Sequence, residues 1–426
     1  MEPRHFDFVT VGSPMHDPAA LRRALEPYLV SLAGLGGHEV GREAFCSPGP
    51  VAVVVATGGT ESETLRLHAM RGAVSPGDPL LLVTIPAHNS LPAALETLAR
   101  VQQDGGRGRI VHLGAPDDAA ALSRVSAAIE GLRVLGRLCR SRIGLVGVPS
   151  DWLVASVPAA EAVREVWGPE TVNVDLAGVL AASLREPDER ALGLAASFSS
   201  GAAATRAPGA DEVGRASTVF GALSDLMARD RLDAIAVRCF DLVTERGTSG
   251  CLALSALNDT GRVAACEGDL ASAVGMLWVK ELLGTASWMA NPSHVDPSTG
   301  LLRLAHCTIA RSLVTRWELR SHFESGLGVA IAGDLEPGVV TLVRLGGRRL
   351  DAIFLAEGEA VPIPRREDLC RTQVDVQLGP GVVAELLARP LGNHLLLVPG
   401  RHAGRLRAFW EWAIASPGRP PAHELD

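Results

Sequence analysis

Short, continuous apolar runs alternate with amphipathic helical segments through the first third of the chain. The runs VAVVV and PLLLVTI, which begin at Val51 and Pro79, each lead into a segment with helical spacing, ESETLRLHAM and NSLPAALETLARVQQ. An apolar run without polar alternation indicates a strand covered on both faces, and an intervening helix favours parallel pairing of successive strands. The pattern therefore predicts a parallel sheet with helices on both faces over residues 1–140.

The remainder of the chain divides into two parts of different character. The alternation starts again at RIGLVGVPSDWLVAS, near Arg142, and predicts a second α/β domain over residues 141–298 in which SFSSGAAATRAPGADE forms a mobile surface loop. From about residue 300 short strands separated by glycine-rich turns (GVAIAG, GVVTLVRLG, TQVDVQLG, HLLLVPG) indicate a β-rich domain over residues 299–426, closed by the helix GRLRAFWEWAIA. We therefore expect an α/β protein with two doubly wound parallel-sheet domains followed by a β-rich, barrel-like C-terminal domain.

Composition narrows the classes of partner. A formal net charge of −8 and an aromatic content of 4% disfavour nucleic-acid binding. No apolar run approaches the about 20 residues that span a bilayer, and MEPRHFDFVTVGS lacks the pattern of a signal peptide. The seven cysteines form no CxxC pair and are odd in number, which predicts reduced thiols and a cytoplasmic location. We expect a small-molecule partner, no nucleic acid and no membrane.

Polar residues recur inside otherwise apolar segments of the second half. The chain has no P-loop, dinucleotide fingerprint, nucleophile elbow, HExxH helix or zinc-type cysteine pair, but Glu, Asp, His and Arg occur in CEGDL, WMANPSHVD, LAHCT, RSHFESG, CRTQ and GNHLLLVPG. Burying a carboxylate is costly unless a charge, a metal or hydrogen bonds compensate. These segments predict a small-molecule site between domains, and a carboxylate with two imidazoles suits Mn2+, Co2+ or Fe2+.

Each of these segments also has a simpler explanation. Asp269 could cap the helix LASAVGMLWVKELL, although a cap leaves Glu267 unexplained. His306 or His322 alone is better explained as a hydrogen-bonded structural histidine than as a ligand. RSHFESG fits an exposed ion-pair loop equally well. Spacing alone does not choose among these alternatives.

The order of motifs from about Arg238 to Gly400 resembles that of the L-fucose isomerase and L-arabinose isomerase superfamily, in particular its shorter fucose-isomerase-like members. The resemblance rests on a Cys-Glu-x-Asp loop opening a helix, a WMAN segment in place of Phe-Met-Ala-Asp, a strand carrying His306, and a final strand with a Gly-x-His motif whose histidine is His394. Only TGGTE and NSLPAALE fit in the first domain. Glu245 and Asp269 are 24 positions apart, as are Glu267 and Asn291, and therefore offer a competing alignment. Glu245 lacks the Cys-Glu-x-Asp context, so we prefer Glu267.

The resemblance implies a homo-oligomeric, metal-dependent aldose–ketose isomerase of a carbohydrate, which acts through an enediolate. It implies Glu267 and Asp269 as catalytic residues. The divalent metal, Mn2+ in our expectation, would be held by Glu267, Asn291, His306 and His394. The implied substrate-binding residues are Arg238, Arg320, His322, Glu324, Arg371 and Asn89. If the three arginines line the pocket, an anionic sugar is expected, since Arg binds such groups bidentately; the alternative is that they form ordinary ion pairs.

Asn291 departs from the family pattern, which has an acidic residue at this position. An amide oxygen can bind a hard cation but cannot take up a proton at neutral pH. Three hypotheses follow: an isomerase with Asp269, Glu324 or His322 replacing the missing acid, another metal-assisted reaction such as epimerisation or carbon–carbon cleavage on a polyol, and a sugar-binding protein without turnover.

Overall fold

The computed structural model describes residues 5–415, which form two compact units. The first comprises the chain up to Arg137 together with the segment from Ala408, and the second is Leu138–Arg407. The helices are α1 (Pro18–Gly34), α2 (Glu61–Val74), α3 (Ser90–Gln103), α4 (Ala119–Arg140), α5 (Ala160–Val166), α6 (Ala177–Ala182), α7 (Glu189–Gly201), α8 (Ala210–Arg229), α9 (Phe240–Arg246), α10 (Cys251–Asp259), α11 (Leu270–Leu283), α12 (Pro380–Ala388) and α13 (Ala403–Ala413), with short 3-10 helices at Arg42–Cys46 and Arg311–Leu313. Within residues 5–415, no helix combines the length and apolarity needed to cross a bilayer.

The first unit is built on a parallel five-stranded sheet. Its strands are β1 (Phe6–Val11), β2 (Gly37–Glu39), β3 (Val51–Val55), β4 (Leu80–Thr84) and β5 (Gly108–His112), in the order β2-β1-β3-β4-β5. Every residue of β3 and β4 is buried, as the continuous apolar runs predict for strands covered on both faces.

The second unit contains a parallel four-stranded sheet and a closed six-stranded antiparallel barrel. The sheet has the order β10-β9-β6-β7 and consists of β6 (Arg142–Val146), β7 (Glu170–Val174), β9 (Ala234–Val237) and β10 (Val263–Ala265). The barrel order is β11-β12-β17-β16-β15-β18, with β11 (Trp288–Asp296), β12 (Leu301–His306), β15 (Gly338–Gly346), β16 (Ala352–Val361), β17 (Thr372–Gln377) and β18 (Leu395–Pro399). The predicted mixture of parallel sheets and a β-barrel is confirmed.

The barrel begins before the change of sequence character near residue 300. Its first strand, β11, pairs with β18 through Trp288–Ala290 and then with β12, with an irregular register between Pro292 and His294. A proline in a strand is tolerated at a bulge, and the bulge together with the polar residues of WMANPSHVD hides the alternation of a strand.

One local prediction was wrong. The stretch SFSSGAAATRAPGADE is not a single loop, because α7 continues through Gly201, β8 (Ala204–Thr205) follows, and α8 begins at Ala210. β8 pairs in parallel with β13 (Arg316–Arg320), which pairs antiparallel with β14 (Ala330–Asp334). Tertiary strand pairing therefore orders a segment whose composition is typical of a loop.

Candidate active site

Glu267 lies in a tight loop between β10 and α11, at the carboxyl end of the second parallel sheet, where open α/β sheets bind ligands. Its φ is +63° and that of Gly268 is +76°, so two successive residues adopt left-handed backbone. The Glu267 carbonyl accepts from the Ser150 amide at 3.0 Å, and the Gly268 amide donates to the Val237 carbonyl at 2.9 Å. A Cβ at Gly268 would lie 2.8 Å from Pro149 Cα. Strained backbone held this firmly by its surroundings is typical of functional sites.

Glu267, His306 and His394 come together from three separate elements. His306 ends β12, and His394 immediately precedes β18. The Nε2 atoms of His394 and His306 lie 3.4 and 3.8 Å from Oε1 of Glu267. All three side chains are buried, and one ligand atom from each lies within 4.8 Å of the others. This group could hold a divalent metal ion through a two-histidine, one-carboxylate set.

The hydrogen bonds of the two histidines support this assignment. His394 Nδ1 lies 2.8 Å from Asp269 Oδ2, so this nitrogen carries the proton and donates to the carboxylate. His394 Nε2 is buried and has no hydrogen-bond partner among residues 5–415. His306 Nδ1 pairs with the Thr308 hydroxyl at 3.0 Å. A buried nitrogen with a free lone pair that faces a carboxylate is what a metal ligand requires, and the donor set fits a divalent ion.

The protonation equilibria of the group are shifted in opposite directions. Burial alone would raise the pKa of the Glu267 carboxyl, but the neighbouring imidazoles of His306 and His394 outweigh it and lower the pKa below its usual range. Burial alone would lower the pKa of His394, but the carboxylates of Asp269 and Glu267 outweigh it and raise the pKa above its ordinary value. Glu267 is therefore favoured as the ionised carboxylate, and in the absence of a metal His394 takes up a proton more readily than an ordinary histidine.

Asp269 both caps a helix and supports His394. Its Oδ1 accepts from the Ser272 amide at 2.7 Å as the N-cap of α11, and its Oδ2 accepts from Arg344 Nη1 at 3.0 Å. Burial alone would raise the pKa of Asp269, but Arg344, His394 and the Ser272 amide outweigh it and lower the pKa to about 2. Arg344 also donates to the Ser272 and Ser156 hydroxyls. A Cβ at Gly392, whose φ is +150°, would overlap the Arg344 guanidinium, so this position requires glycine.

A cavity of about 170 Å³ in the second unit opens beside Glu267 and His306. The expected residues Asn291, His322 and Glu324 line it. The other lining residues that bear on the site are the aromatic Phe240 and Phe323 and the thiols of Cys239, Cys251, Cys266, Cys307 and Cys370. All seven cysteines of the chain are free thiols, and Cys239 Sγ lies 2.9 Å from Cys266 Sγ. Neither His394 nor its hydrogen-bond partner Asp269 is among the lining residues of this cavity.

The three expected arginines do not line this cavity but form ion pairs next to its wall. Arg238 Nε pairs with Asp241 at 2.9 Å. Arg320 Nη2 and Arg371 Nη1 share one carboxylate oxygen of Glu367, at 2.6 and 3.1 Å. Arg371 directly follows a cavity-lining cysteine, and Arg320 lies two residues before His322.

Two further residues from the sequence analysis lie outside the cavity lining. Asn89 belongs to the first unit and precedes α3 with a left-handed backbone (φ 58°). Glu245 is half-exposed at the end of α9, where it lies 3.6 Å from Arg246. Glu267, and not Glu245, is therefore the carboxylate that meets the two histidines.

Two residues of the site were missed by sequence reasoning. Trp152 Nε1 donates to Glu267 Oε2 at 2.6 Å, and Arg344 holds Asp269 from the barrel strand β15. The signal for Trp152 was its place just after β6, because loops at the carboxyl ends of parallel strands meet. No local signal marks Arg344, which lies in the middle of an apolar strand pattern.

Comparison with known proteins finds similarity to sulfoquinovose isomerases. The chain is 27% identical over 298 residues to the sulfoquinovose isomerase of Alkalicoccus urumqiensis and 26% identical over 304 residues to those of Priestia aryabhattai and Priestia megaterium. Each alignment covers 67% of this chain and 66% of the relative, so the match spans just under two thirds of the relatives' length. No protein-family model matches the chain.

Proposed function

We propose that this protein is a metal-dependent aldose–ketose isomerase of a sulfonated or otherwise anionic sugar, and a member of the L-fucose and L-arabinose isomerase superfamily. The observation that carries the proposal is the meeting of Glu267, His306 and His394 beside a cavity with polar and aromatic walls. The similarity to sulfoquinovose isomerases supports the substrate class.

The metal would be held by Glu267, His306 and His394, with the amide oxygen of Asn291 as a further donor on the same cavity wall. This donor set suits Mn2+, Co2+ and Fe2+, and of these we propose Mn2+ on the basis of the family resemblance. When bound, it would polarise the C1 and C2 oxygens of the sugar.

Glu267 is the proposed base that moves a proton between C2 and C1 through an enediolate. The role rests on its position, since Glu267 lines the cavity beside His306, and its carboxylate is ionised at neutral pH. Asp269 is buried, and its two oxygens accept hydrogen bonds from the Ser272 amide and from His394. We therefore propose that it acts through His394 and does not touch the substrate. His322 and Glu324, both on the cavity wall, are the candidates for the acid that Asn291 cannot supply.

The test is proton exchange followed by NMR in D2O. Metal-loaded protein is incubated with neutral, phosphorylated and sulfonated aldoses and ketoses, with Glu267→Gln as the control. We expect deuterium at C1 or C2 of a sulfonated sugar with the wild type only. A protein that holds Mn2+ but exchanges no sugar proton would contradict the isomerase proposal, and a protein that binds sugar but no metal would point to a binding function.

A second candidate is a different metal-assisted reaction on a sugar or polyol, such as epimerisation or carbon–carbon cleavage. Asn291 on the cavity wall favours it, because the paired carboxylates of the family are reduced to one. The variant Asn291→Asp separates the two candidates. We expect it to increase deuterium exchange, as in an isomerase lacking one acid. Loss of the native turnover in this variant would support the second candidate.

A homo-oligomeric state, Mn2+ as the physiological metal and a cytoplasmic location stay predictions.

A further inference from the structure

We propose that Trp152 is a positioning residue that fixes the orientation of the Glu267 carboxylate, so that a single oxygen faces the two histidines. The inference rests on the proposed function, because it assigns separate tasks to the two oxygens of the proposed ligand and base. Trp152 would hold Oε2, and Oε1 would be left for the metal and the substrate.

The two oxygens of Glu267 have different neighbours. Oε2 accepts the Trp152 indole N–H at 2.6 Å. Oε1 lies 3.4 Å from His394 Nε2 and 3.8 Å from His306 Nε2. Glu267 therefore presents one oxygen to the histidines, and presenting both would require breaking the indole bond.

A carboxylate needs such a restraint because its last torsion is broad and roughly two-fold. Without a partner on Oε2, the carboxylate could rotate about this bond and present both oxygens, or neither, to the histidines. An indole N–H is a donor only, so it pairs with the ionised carboxylate and competes for neither proton nor metal. Hydrogen bonds to an ionised acceptor are also shorter and stronger than neutral ones.

The loop that carries Trp152 also holds the backbone of the site. The Ser150 amide donates to the Glu267 carbonyl, and Ser156 bonds to Arg344, which in turn holds Asp269. Residues 150–156 thus contact Glu267 at its side chain and its main chain. Through Arg344 they are also linked to Asp269, the hydrogen-bond partner of His394. A left-handed glutamate persists only where its surroundings determine it this fully.

Packing does not account for the position of Trp152. The residue is 51% exposed, and its ring packs edge to face against Phe240 at a centroid distance of 4.9 Å. A large apolar ring half in water buries little of its surface, so the hydrogen bond to Glu267 is the interaction that explains its orientation.

The test compares Trp152→Phe, which keeps a ring against Phe240 but removes the donor, with the matched control Trp317→Phe. Trp317 is also partly buried in the second unit, and its indole faces the Phe198 carbonyl at 3.4 Å, away from the cavity lining. Titration with Mn2+ should show affinity reduced about 10-fold or more in Trp152→Phe, as for other residues that orient a metal ligand, and unchanged in Trp317→Phe. Equal affinity in wild type and Trp152→Phe would overturn the proposal.

A spectroscopic readout on the metal-free protein tests the hydrogen bond separately. The indole N–H signal that disappears in Trp152→Phe is that of Trp152 in a proton–nitrogen correlation spectrum. We expect this signal to move upfield in Glu267→Ala, while the Trp317 signal stays in place. An unmoved Trp152 signal would overturn the inference. If the wild type binds no Mn2+, the proposed function fails, and the spectrum still decides whether Trp152 holds Glu267.

Discussion

His394 Nδ1 donates a hydrogen bond to Asp269 Oδ2 at 2.8 Å, which leaves Nε2 of the same ring facing Glu267. The carboxylate thus determines which imidazole nitrogen has the free lone pair. Arg344 holds Asp269 in turn, so a chain of three buried groups leads from the barrel strand β15 to the proposed metal centre. Outer partners of this kind orient metal-binding histidines and raise their basicity.

Replacing Asp269 with Asn should weaken Mn2+ binding by about 10–100-fold, the usual effect of losing such a partner. The amide is neutral and supports the imidazole less well than a carboxylate. The matched control is Asp375→Asn, since Asp375 is also buried and forms a bidentate pair with Arg303 in the barrel. Calorimetric titration of both variants checks the prediction. Equal losses of affinity would attribute the effect to a general loss of stability.

Replacing Arg344 with Met should lower the free energy of unfolding by about 3–5 kcal/mol, because it leaves a buried carboxylate without its cation. The side chains of Arg344 and Asp269 are only 2% and 0% exposed. Arg349 and Glu165 form a control pair that is 60% and 61% exposed. For Arg349→Met we expect a loss of about 0–1 kcal/mol. Urea denaturation measures both, and similar losses in the two variants would refute the role assigned to burial.

The affinity for Mn2+ should fall as the pH decreases. Only the neutral imidazole binds metal, and the neighbouring carboxylates raise the pKa of His394, so protons compete with the metal at a higher pH than for an ordinary histidine. Among the groups that raise the pKa of His394, Asp269 has the largest effect. In Asp269→Asn this pKa should be lower, so the loss of Mn2+ affinity should occur at a lower pH. Titrations at a series of pH values test this order. A decline at the same pH in both proteins would show that another group controls it.

The sequence predicted the strand and helix pattern and the three residues of the proposed metal centre, but not what supports them. Runs such as VAVVV report local burial, and the family resemblance located Glu267, His306 and His394. Trp152 and Arg344 were missed because each acts on a residue far along the chain. A spacing pattern records only neighbours within a helix or strand. The Trp152 contact exists only after the parallel sheet has formed, and the Arg344 contact only after the barrel packs against that sheet. The strand β11 was hidden for a related reason, since its bulge interrupts the alternation.

Arg371 is the residue whose replacement should separate anionic from neutral sugars. Arg320 and Arg371 share one oxygen of Glu367, which is 71% exposed, so two guanidinium groups are paired with a single carboxylate at the protein surface. A sulfonate has the oxygen geometry that guanidinium groups bind, and it could replace Glu367 there. Arg371→Met should therefore raise KM for a sulfonated sugar by about 10–100-fold, the equivalent of one charged hydrogen bond, with little change in kcat.

The variant Glu367→Gln should act in the opposite direction, because it removes the carboxylate that competes for both arginines. We expect a lower KM for the sulfonated sugar and an unchanged KM for its neutral counterpart. Steady-state kinetics with the two sugars, at equal thermal stability of the variants, decides the matter. If Arg371→Met raised KM equally for both sugars, Arg371 would support the cavity wall through its bond to the Ser321 carbonyl, and the sulfonate would be recognised elsewhere.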